Sequence, residues 1–125
     1  MIYVFANDDH GLAAYASQEE AVAACEAFDV EKNNYRFFDA AGEPLRARIV
    51  RPTRHGPVSV VSGQYVLEPD LVQGAVALKS LLGQVSYVEG CGLTDAAAVA
   101  AQLERQASVA THVPSNTSLE RTRDR

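Results

Sequence analysis

Three β-type segments follow one another in the middle of the chain with only short turns between them. Residues 35–39 are aromatic, residues 45–50 alternate apolar with polar side chains, and residues 58–67 are rich in valine, with Gly63 marking a bulge. Strands joined by such short turns pair antiparallel, and the alternation in the second segment indicates a strand with one wet face. This run therefore predicts an antiparallel meander whose apolar side must be covered by helices.

A strand and a helix precede the meander. Residues 2–6 are β-rich and predict a strand, whereas the mixed polarity of residues 7–16 predicts a loop. Ser17 followed by Glu20 forms a capping box, in which the serine oxygen accepts a hydrogen bond from the third helical amide. Apolar residues at helical spacing then predict a helix over residues 18–28.

Two further helices are predicted after the meander. Pro69 suits the first turn of a helix, and residues 71–85 keep apolar side chains at helical spacing for four turns, the strongest periodic signal in the chain. The Gly-Cys-Gly sequence at 90–92 breaks this pattern. The pair Thr94-Asp95 then predicts the N-terminal cap of an alanine-rich helix that ends near residue 109.

Together these elements predict an α+β fold with the order β-α-β-β-β-α-α. We expect a sheet of about four mainly antiparallel strands with the helices packed on one face. A length of 125 residues supports one domain, which we place over residues 1–110. Residues 111–125 are polar and end in alternating charge, which predicts a disordered C-terminal tail.

Cysteine usage and the apolar segments indicate a cytoplasmic protein. Cys25 and Cys91 stand in no metal-binding spacing, which favours two reduced thiols over a disulfide in a secreted protein. The first residues run into a polar loop and lack the basic and apolar regions of a signal peptide. No apolar run approaches the length of a membrane span, so we expect no membrane partner.

Catalytic motifs are absent from the sequence. It contains no nucleophile elbow, phosphate-binding loop, dinucleotide fingerprint or zinc spacing, and this predicts a protein without catalytic residues, metal or cofactor. Two alternatives stay open. Asp8, Asp9 and His10 are metal-ligand types in one loop. Cys91, between two glycines and before a helix start, is either a reactive thiol paired with His10, His55 or His112 or an inert one.

Negative charge is concentrated in the first third of the chain. Residues 1–43 carry nine acidic against two basic side chains, a net charge of −7, although the whole chain has a net charge of only −5. Such a block either steers a basic partner or is an ordinary solvated helix face. The candidate partner-binding residues are the acidic Asp8, Asp9, Glu19, Glu26, Asp29 and Glu31, together with the aromatic Tyr35.

A basic block follows the acidic one. Residues 44–56 contain four arginines and no acid. The candidate phosphate-binding residues are Arg46, Arg48, Arg51 and Arg54. They would contact nucleic acid, or they pair across strands with acids such as Asp39 and Glu68. An isoelectric point near 5.1 and the lack of an aromatic platform argue against nucleic acid.

Two stretches of the chain resemble small bacterial proteins. They are residues 24–31, Ala-Cys-Glu-Ala-Phe-Asp-Val-Glu, and residues 35–45, Tyr-Arg-Phe-Phe-Asp-Ala-Ala-Gly-Glu-Pro-Leu, and the likeness spans roughly residues 20–67. In size, acidity and architecture these proteins resemble immunity proteins, which are encoded beside secreted antibacterial toxins and block them. The motifs are structural, so no interface residue is carried over from the resemblance.

The resemblance implies a cytoplasmic immunity-type protein that binds a cognate toxin and occludes its active site or substrate groove. The acidic block would suit a basic toxin such as a nuclease. The alternative is a binding or adaptor module unrelated to toxins, with nucleic-acid binding through the arginine-rich strand as one form of it. The sequence indicates neither the identity of the partner nor the oligomeric state.

Overall fold

A computed structural model describes residues 1–58, 60–61 and 63–112 and shows an α+β fold. The strands are β1 (Ile2–Ala6), β2 (Gly11–Tyr15), β3 (Tyr35–Phe38), β4 (Pro44–Arg51), β5 (Arg54–His55), β6 (Val60–Val61), β7 (Gln64–Pro69) and β8 (Tyr87–Glu89). The helices are α1 (Gln18–Ala24), α2 (Ala27–Glu31), a 3₁₀ helix (Leu78–Gln84) and α3 (Ala96–His112).

Six of these strands form one mixed sheet in the order β7-β4-β3-β1-β2-β8. Only β8 runs parallel to its neighbour, β2, and the other pairs are antiparallel. The short β5 and β6 pair separately. The predicted sheet of about four strands is therefore too small, and its order is wrong, because the prediction lacked β2 and β8.

Strand β1 lies in the middle of the sheet and is buried on both faces. Ile2, Tyr3, Val4 and Phe5 are all buried, which explains why this segment is continuously apolar and does not alternate. Pairing with β1 also explains β2, which lies in the segment that was predicted to be a loop from its mixed polarity. A segment of weak β-formers becomes a strand when it can pair with the edge of a central strand, and the propensities of its own residues do not predict this pairing.

The core has two layers, one on each face of the sheet. On the α1–α2 face, side chains of α1 and α2 pack on Ile2, Val4 and Phe37. On the α3 face, the 3₁₀ helix and α3 pack on Tyr3, Phe5 and other apolar side chains of the sheet. The prediction of helices on one face is therefore wrong, because successive residues of β1 and β3 are large and apolar and both faces need cover.

The predicted helix over residues 71–85 is also wrong. The chain is irregular from 70 to 77, and the side chain of Leu71 is 89% exposed. Only the 3₁₀ helix remains, in which Leu78 and Leu81 are buried three residues apart, the spacing at which side chains of a 3₁₀ helix eclipse. The apolar period over Leu71, Ala75, Leu78, Leu82 and Val85 fitted a helix, but Leu71 and Ala75 are exposed and only the last three reach the core.

The first predicted helix starts as expected but is interrupted. Ser17 Oγ accepts a hydrogen bond from the amide of Glu20 at 3.2 Å, as the capping box predicted. Cys25 and Glu26 are then extended, so that residues 18–28 form α1 and the beginning of α2. Tyr65 Oη donates a hydrogen bond to the carbonyl oxygen of Cys25 at 2.6 Å, which satisfies an acceptor freed by this break.

The segment after β4 differs from the prediction, whereas the start of the C-terminal helix matches it. Residues 58–67 do not form one long strand, because β6 pairs with β5 and β7 pairs with β4. The predicted cap of α3 is confirmed, since Asp95 Oδ1 accepts a hydrogen bond from the amide of Ala98 at 2.8 Å. This helix includes residues 111 and 112, and the rest of the predicted tail lies outside the described residues.

Candidate binding cleft

The two short helices leave part of the α1–α2 face uncovered where β1, β2 and β8 lie side by side. A cleft of about 400 Å³ opens there. Its floor is formed by small residues, Ala6, Gly11 and Ala13, and the α1–α2 connection with Cys25 forms one wall. Because these floor residues are small, the surface is concave although the sheet beneath it is continuous.

Four carboxylates from three separate parts of the chain surround this cleft. We call it the acidic cleft and define it by Asp8, Asp9, Asp29 and Glu89 with the tyrosines Tyr15, Tyr35 and Tyr87. Asp8 and Asp9 come from the β1–β2 loop, Asp29 from α2 and Glu89 from β8. Among the described residues that line the cleft, none is a lysine or arginine.

Tyr87 is held across the cleft floor by a contact that requires glycine beneath it. In the parallel β2–β8 pair Tyr87 lies beside Gly11, and a Cβ atom on Gly11 would overlap the end of the tyrosine ring. The ring therefore lies over the backbone of Gly11 and reaches Asp9, where Tyr87 Oη donates a hydrogen bond to Oδ2 at 3.0 Å. Gly11 thus sets the position of both side chains.

Asp9 is stabilised in its charged form. The backbone amide of Gly11 donates a hydrogen bond to Asp9 Oδ1 at 2.9 Å. This bond and the one from Tyr87 hold the pKa of Asp9 below its ordinary value of 3.8. The carboxylate is therefore ionised at neutral pH and is oriented by two donors.

The pKa values of the three cleft tyrosines are raised. Burial raises the pKa of Tyr35, and Cys25, Asp29 and Asp8 raise it further. Burial likewise raises the pKa of Tyr15, with contributions from Cys25 and Glu89. The hydrogen bond to Asp9 is the main cause that raises the pKa of Tyr87. All three phenols therefore stay neutral at physiological pH and act as hydrogen-bonding and ring surfaces.

A chain of asparagines joins the β1–β2 loop to the end of α2. The amide of Asn7 donates to the carbonyl oxygen of Asn34 at 2.9 Å, and Asn7 Nδ2 donates to that of Asn33 at 2.7 Å. Asn34 Nδ2 in turn donates to Asp29 Oδ1 at 3.3 Å. These bonds hold the acidic loop next to α2, so that Asp8 and Asp29 border the same opening.

The structure brings together four of the seven partner-binding candidates. Asp8, Asp9, Asp29 and Tyr35 line the acidic cleft, and Glu19 and Glu26 do not. Glu26 borders a groove between α1, β4 and β7. Glu31 is engaged elsewhere, because its Oε2 accepts hydrogen bonds from the amide and hydroxyl of Thr53 at 2.8 and 2.9 Å.

Sequence reasoning missed Tyr15, Tyr87 and Glu89. Tyr15 lay in the predicted loop, and the other two lie on the unpredicted strand β8. Parallel pairing of β8 with β2 joins segments more than seventy residues apart, and the three residues of β8 form too short a run to indicate a strand. No local signal places these side chains in the cleft.

Two of the four candidate phosphate-binding arginines are paired. Arg46 Nη2 and Arg48 Nε each lie 2.7 Å from a carboxylate oxygen of Glu68. Hydrogen bonds from Arg48 and then Arg46 lower the pKa of Glu68. The cross-strand alternative holds for Glu68, whereas Asp39 Oδ1 accepts from the amides of its own turn. Arg51 and Arg54 are exposed and form no ion pair within the described part of the chain.

In the described part of the chain, the residues considered for chemistry form no recognised metal site, and the contacts of the histidines and Cys91 are with other groups. Within the described ranges no group of three histidine, cysteine, aspartate or glutamate side chains is arranged to hold a metal ion. The His10 ring stacks on Phe5 with centroids 5.5 Å apart, and the His55 ring packs edge-on against Phe28. Cys91 Sγ lies 3.6 Å from the carbonyl oxygen of Ala14. The side chain of His112 lies outside the described part.

The chain was compared with family models, curated proteins and solved structures. No family model, no curated protein and no solved structure matches the chain. None of the described helices is both long and apolar enough to cross a membrane. The acidic cleft is therefore the feature from which a function is inferred.

Proposed function

We propose that the chain is a binding protein of the immunity type, whose acidic cleft receives basic side chains of a cognate protein toxin. The observation that carries this proposal is the convergence of Asp8, Asp9, Asp29 and Glu89 on one concave part of the sheet. Their lining neighbours in the described part include no basic residue, so the four charges are not neutralised from within the cleft.

The cleft offers two kinds of contact to a lysine or arginine side chain. The carboxylates supply charge-assisted hydrogen bonds, and the rings of Tyr15, Tyr35 and Tyr87 supply faces for cation–π contact. Asp9 is already ionised and oriented by Gly11 and Tyr87, so that little side-chain entropy is lost when a cation binds. The small floor residues leave room for a long side chain to lie flat.

Inhibition follows from occupation of the toxin surface and needs no cofactor. A basic active site or substrate groove that docks on the cleft is covered by the surrounding loop and by α2. Long-range attraction between a negative cleft and a positive groove speeds the encounter and weakens as salt screens it. We therefore expect fast association that slows with ionic strength.

The test is a pair of variants with the same change in net charge. The cleft variant carries D8N, D9N, D29N and E89Q, and the control variant carries E19Q, E20Q, E26Q and E43Q, which alter acids outside the cleft. Each is used to capture partners from the native host at low and high salt. Each is also co-expressed with the captured protein to measure protection of growth.

We expect the wild type and the control variant to retain a basic protein and to restore growth, and the cleft variant to do neither. Equal retention by both variants would remove the acidic cleft from the interface. A retained protein that is harmless on expression would support a binding module and contradict the immunity-type role.

A further inference from the structure

A second opening lies between β3 and β4, where the main sheet splits. The two strands pair only through Phe37–Leu45 and Phe38–Pro44, and no further pair follows among the described residues. Strand β3 nevertheless continues its pairing with β1 back to Tyr35, and β4 continues its pairing with β7 forward to Arg51. The two halves of the sheet therefore diverge from a short hinge of two residue pairs.

The direction of the backbone groups along the split follows from three hydrogen bonds. Asn34 accepts from Asn7 on the β1 side, and Asp39 donates to Glu43 on the β4 side. Since backbone groups alternate in direction along a strand, Tyr35 and Phe37 point theirs toward β4. The carbonyl oxygen of Pro44 accepts from Asp70 on the β7 side.

The same alternation gives the direction of the backbone amides and carbonyls of β4. Arg46 and Arg48 turn their amides and carbonyls toward β7, and Ala47 and Ile49 turn theirs into the split. Tyr35 on one side therefore faces Ala47 and Ile49 on the other without a ladder between them. Such a row of open donors and acceptors is the template onto which an added strand pairs.

A cavity of about 460 Å³ fills the split and reaches both faces of the sheet. Val30, Tyr35 and Ile49 line it on the α1–α2 face, and Arg36 and Arg46 line it on the opposite face. Neighbouring residues of one strand point to opposite faces, so a cavity lined by both sets passes between the strands. Its volume lies within the range of natural binding pockets, about 300–1,000 Å³.

Strand β4 and the segment that follows it are held by contacts away from β3. Glu68 on β7 pairs with both Arg46 and Arg48 on β4, one through each carboxylate oxygen. The hydrogen bonds from Thr53 to Glu31 connect the residues just after β4 to the end of α2. These contacts hold β4 on β7 and hold the segment after β4 on α2, and none of them involves β3.

We infer that an extended segment of a protein partner enters this split as an added strand, with apolar side chains alternating with acidic ones. Its backbone would pair with the open groups of Tyr35, Ala47 and Ile49. Its apolar side chains would point to the α1–α2 face, toward Val30 and the exposed Ile49. This surface lies beyond the acidic cleft and shares only Tyr35 with it.

The acidic side chains of the proposed partner strand would point to the α3 face and complement arginine side chains there. Arg36 is exposed and has no ion pair in the described part of the chain. Arg46 and Arg48 share the single carboxylate of Glu68, which leaves one positive charge in excess. The nearby Asp70 accepts a hydrogen bond from the amide of Val72 at 3.1 Å. A carboxylate placed beside Arg36 would therefore pair with a guanidinium group that has no carboxylate partner in the described part of the chain.

Hydrogen exchange tests the open edge without any ligand. The amides of Tyr35, Ala47 and Ile49 should exchange rapidly, whereas those of Arg46 and Arg48, which face β7, should be protected. Protection of Ala47 equal to that of Arg48 would mean that the split is closed in solution and would overturn the proposal.

Peptide titration tests the occupant. The probes are acetylated octapeptides that alternate valine with glutamate or valine with lysine, followed by NMR of the backbone amides. We expect the glutamate peptide to shift the amides of Tyr35, Ala47 and Ile49 and to bind about tenfold more tightly than the lysine peptide. The variant R36E should reverse this preference. Methylation of alternate peptide nitrogens should abolish binding to both proteins.

The reversal separates a strand site from a general effect on folding, since a misfolded variant would lose both peptides. If R36E does not fold, R36Q should remove the preference without reversing it. Unshifted amides along the split at about 1 mM of the glutamate peptide would overturn the proposal. Equal binding of the methylated peptide would do the same. Neither result would bear on the acidic cleft.

Discussion

The two faces of the sheet are covered by helices of very different length. The α3 face carries a 17-residue helix and a 3₁₀ helix, and its core includes Tyr3, Leu12, Leu78 and Val99, which are all fully buried. The α1–α2 face carries helices of seven and five residues, and both the acidic cleft and the split open on it. Because short helices leave more polar and backbone groups uncovered, we expect the α3 face to contribute more to the stability of the fold, whereas both openings can be reached from the α1–α2 face.

The largest effect should come from leucine truncations on the two faces. Leu78 is fully buried on the α3 face, and L78A should lower the free energy of unfolding by about 2–5 kcal/mol, since it leaves a cavity. Leu45 is half-buried beside the split, and L45A should cost about half of that or less. Urea denaturation measures both. A larger loss for L45A would show that the α1–α2 face carries the stability.

Two buried tyrosines, one on each face, differ in whether the hydroxyl group forms a hydrogen bond. Tyr65 Oη donates a hydrogen bond to Cys25 on the α1–α2 face, and Y65F should cost about 1–2 kcal/mol. Tyr3 Oη is buried on the α3 face with no hydrogen-bond partner in the described residues. Y3F removes this unsatisfied group, so the free energy of unfolding should stay equal or rise. A clear loss in Y3F would show that its hydroxyl is satisfied in solution.

A methyl group at Gly11 should change the acidic cleft with little change in stability. G11A pushes the end of the Tyr87 ring from the floor, and this half-exposed ring can turn outward. The loss of its solvent-exposed hydrogen bond to Asp9 should lower the free energy of unfolding only slightly. NMR of the ring and thermal unfolding measure the two effects. An unmoved ring would contradict the close contact on which this prediction depends.

The smallest effect concerns the titration of Tyr87. Its pKa is raised because Asp9 accepts its hydrogen bond, so D9N should lower the pKa toward the ordinary value of 10.0. A raised tyrosine pKa favours the folded protein below pH 10 and loses this contribution as the pH rises through the folded pKa. Ultraviolet titration of D9N checks the shift, with E19Q as the control outside the cleft. An equal shift in both variants would exclude a specific role for Asp9.

Local signals predicted the elements whose causes are local. The cap at Ser17, the cap at Asp95 and the strand at 44–51 each depend on neighbouring residues and are present in the structure. The apolar spacing over residues 71–85 predicted a helix wrongly, because spacing alone does not show whether a core is available to bury the apolar side chains. Charge counting pointed to the first loop and α2, but it included Glu19 and Glu26, which do not line the cleft.

The sequence by itself determined an α+β chain with a concentrated acidic block and an arginine strand beside it. Only the tertiary structure decided that Glu89, Tyr15 and Tyr87 complete the acidic cleft and that β3 and β4 diverge. The reason is that both features arise from pairing between distant segments. The β2–β8 contact and the separate anchoring of β4 to β7 satisfy backbone groups whose partners no local pattern specifies.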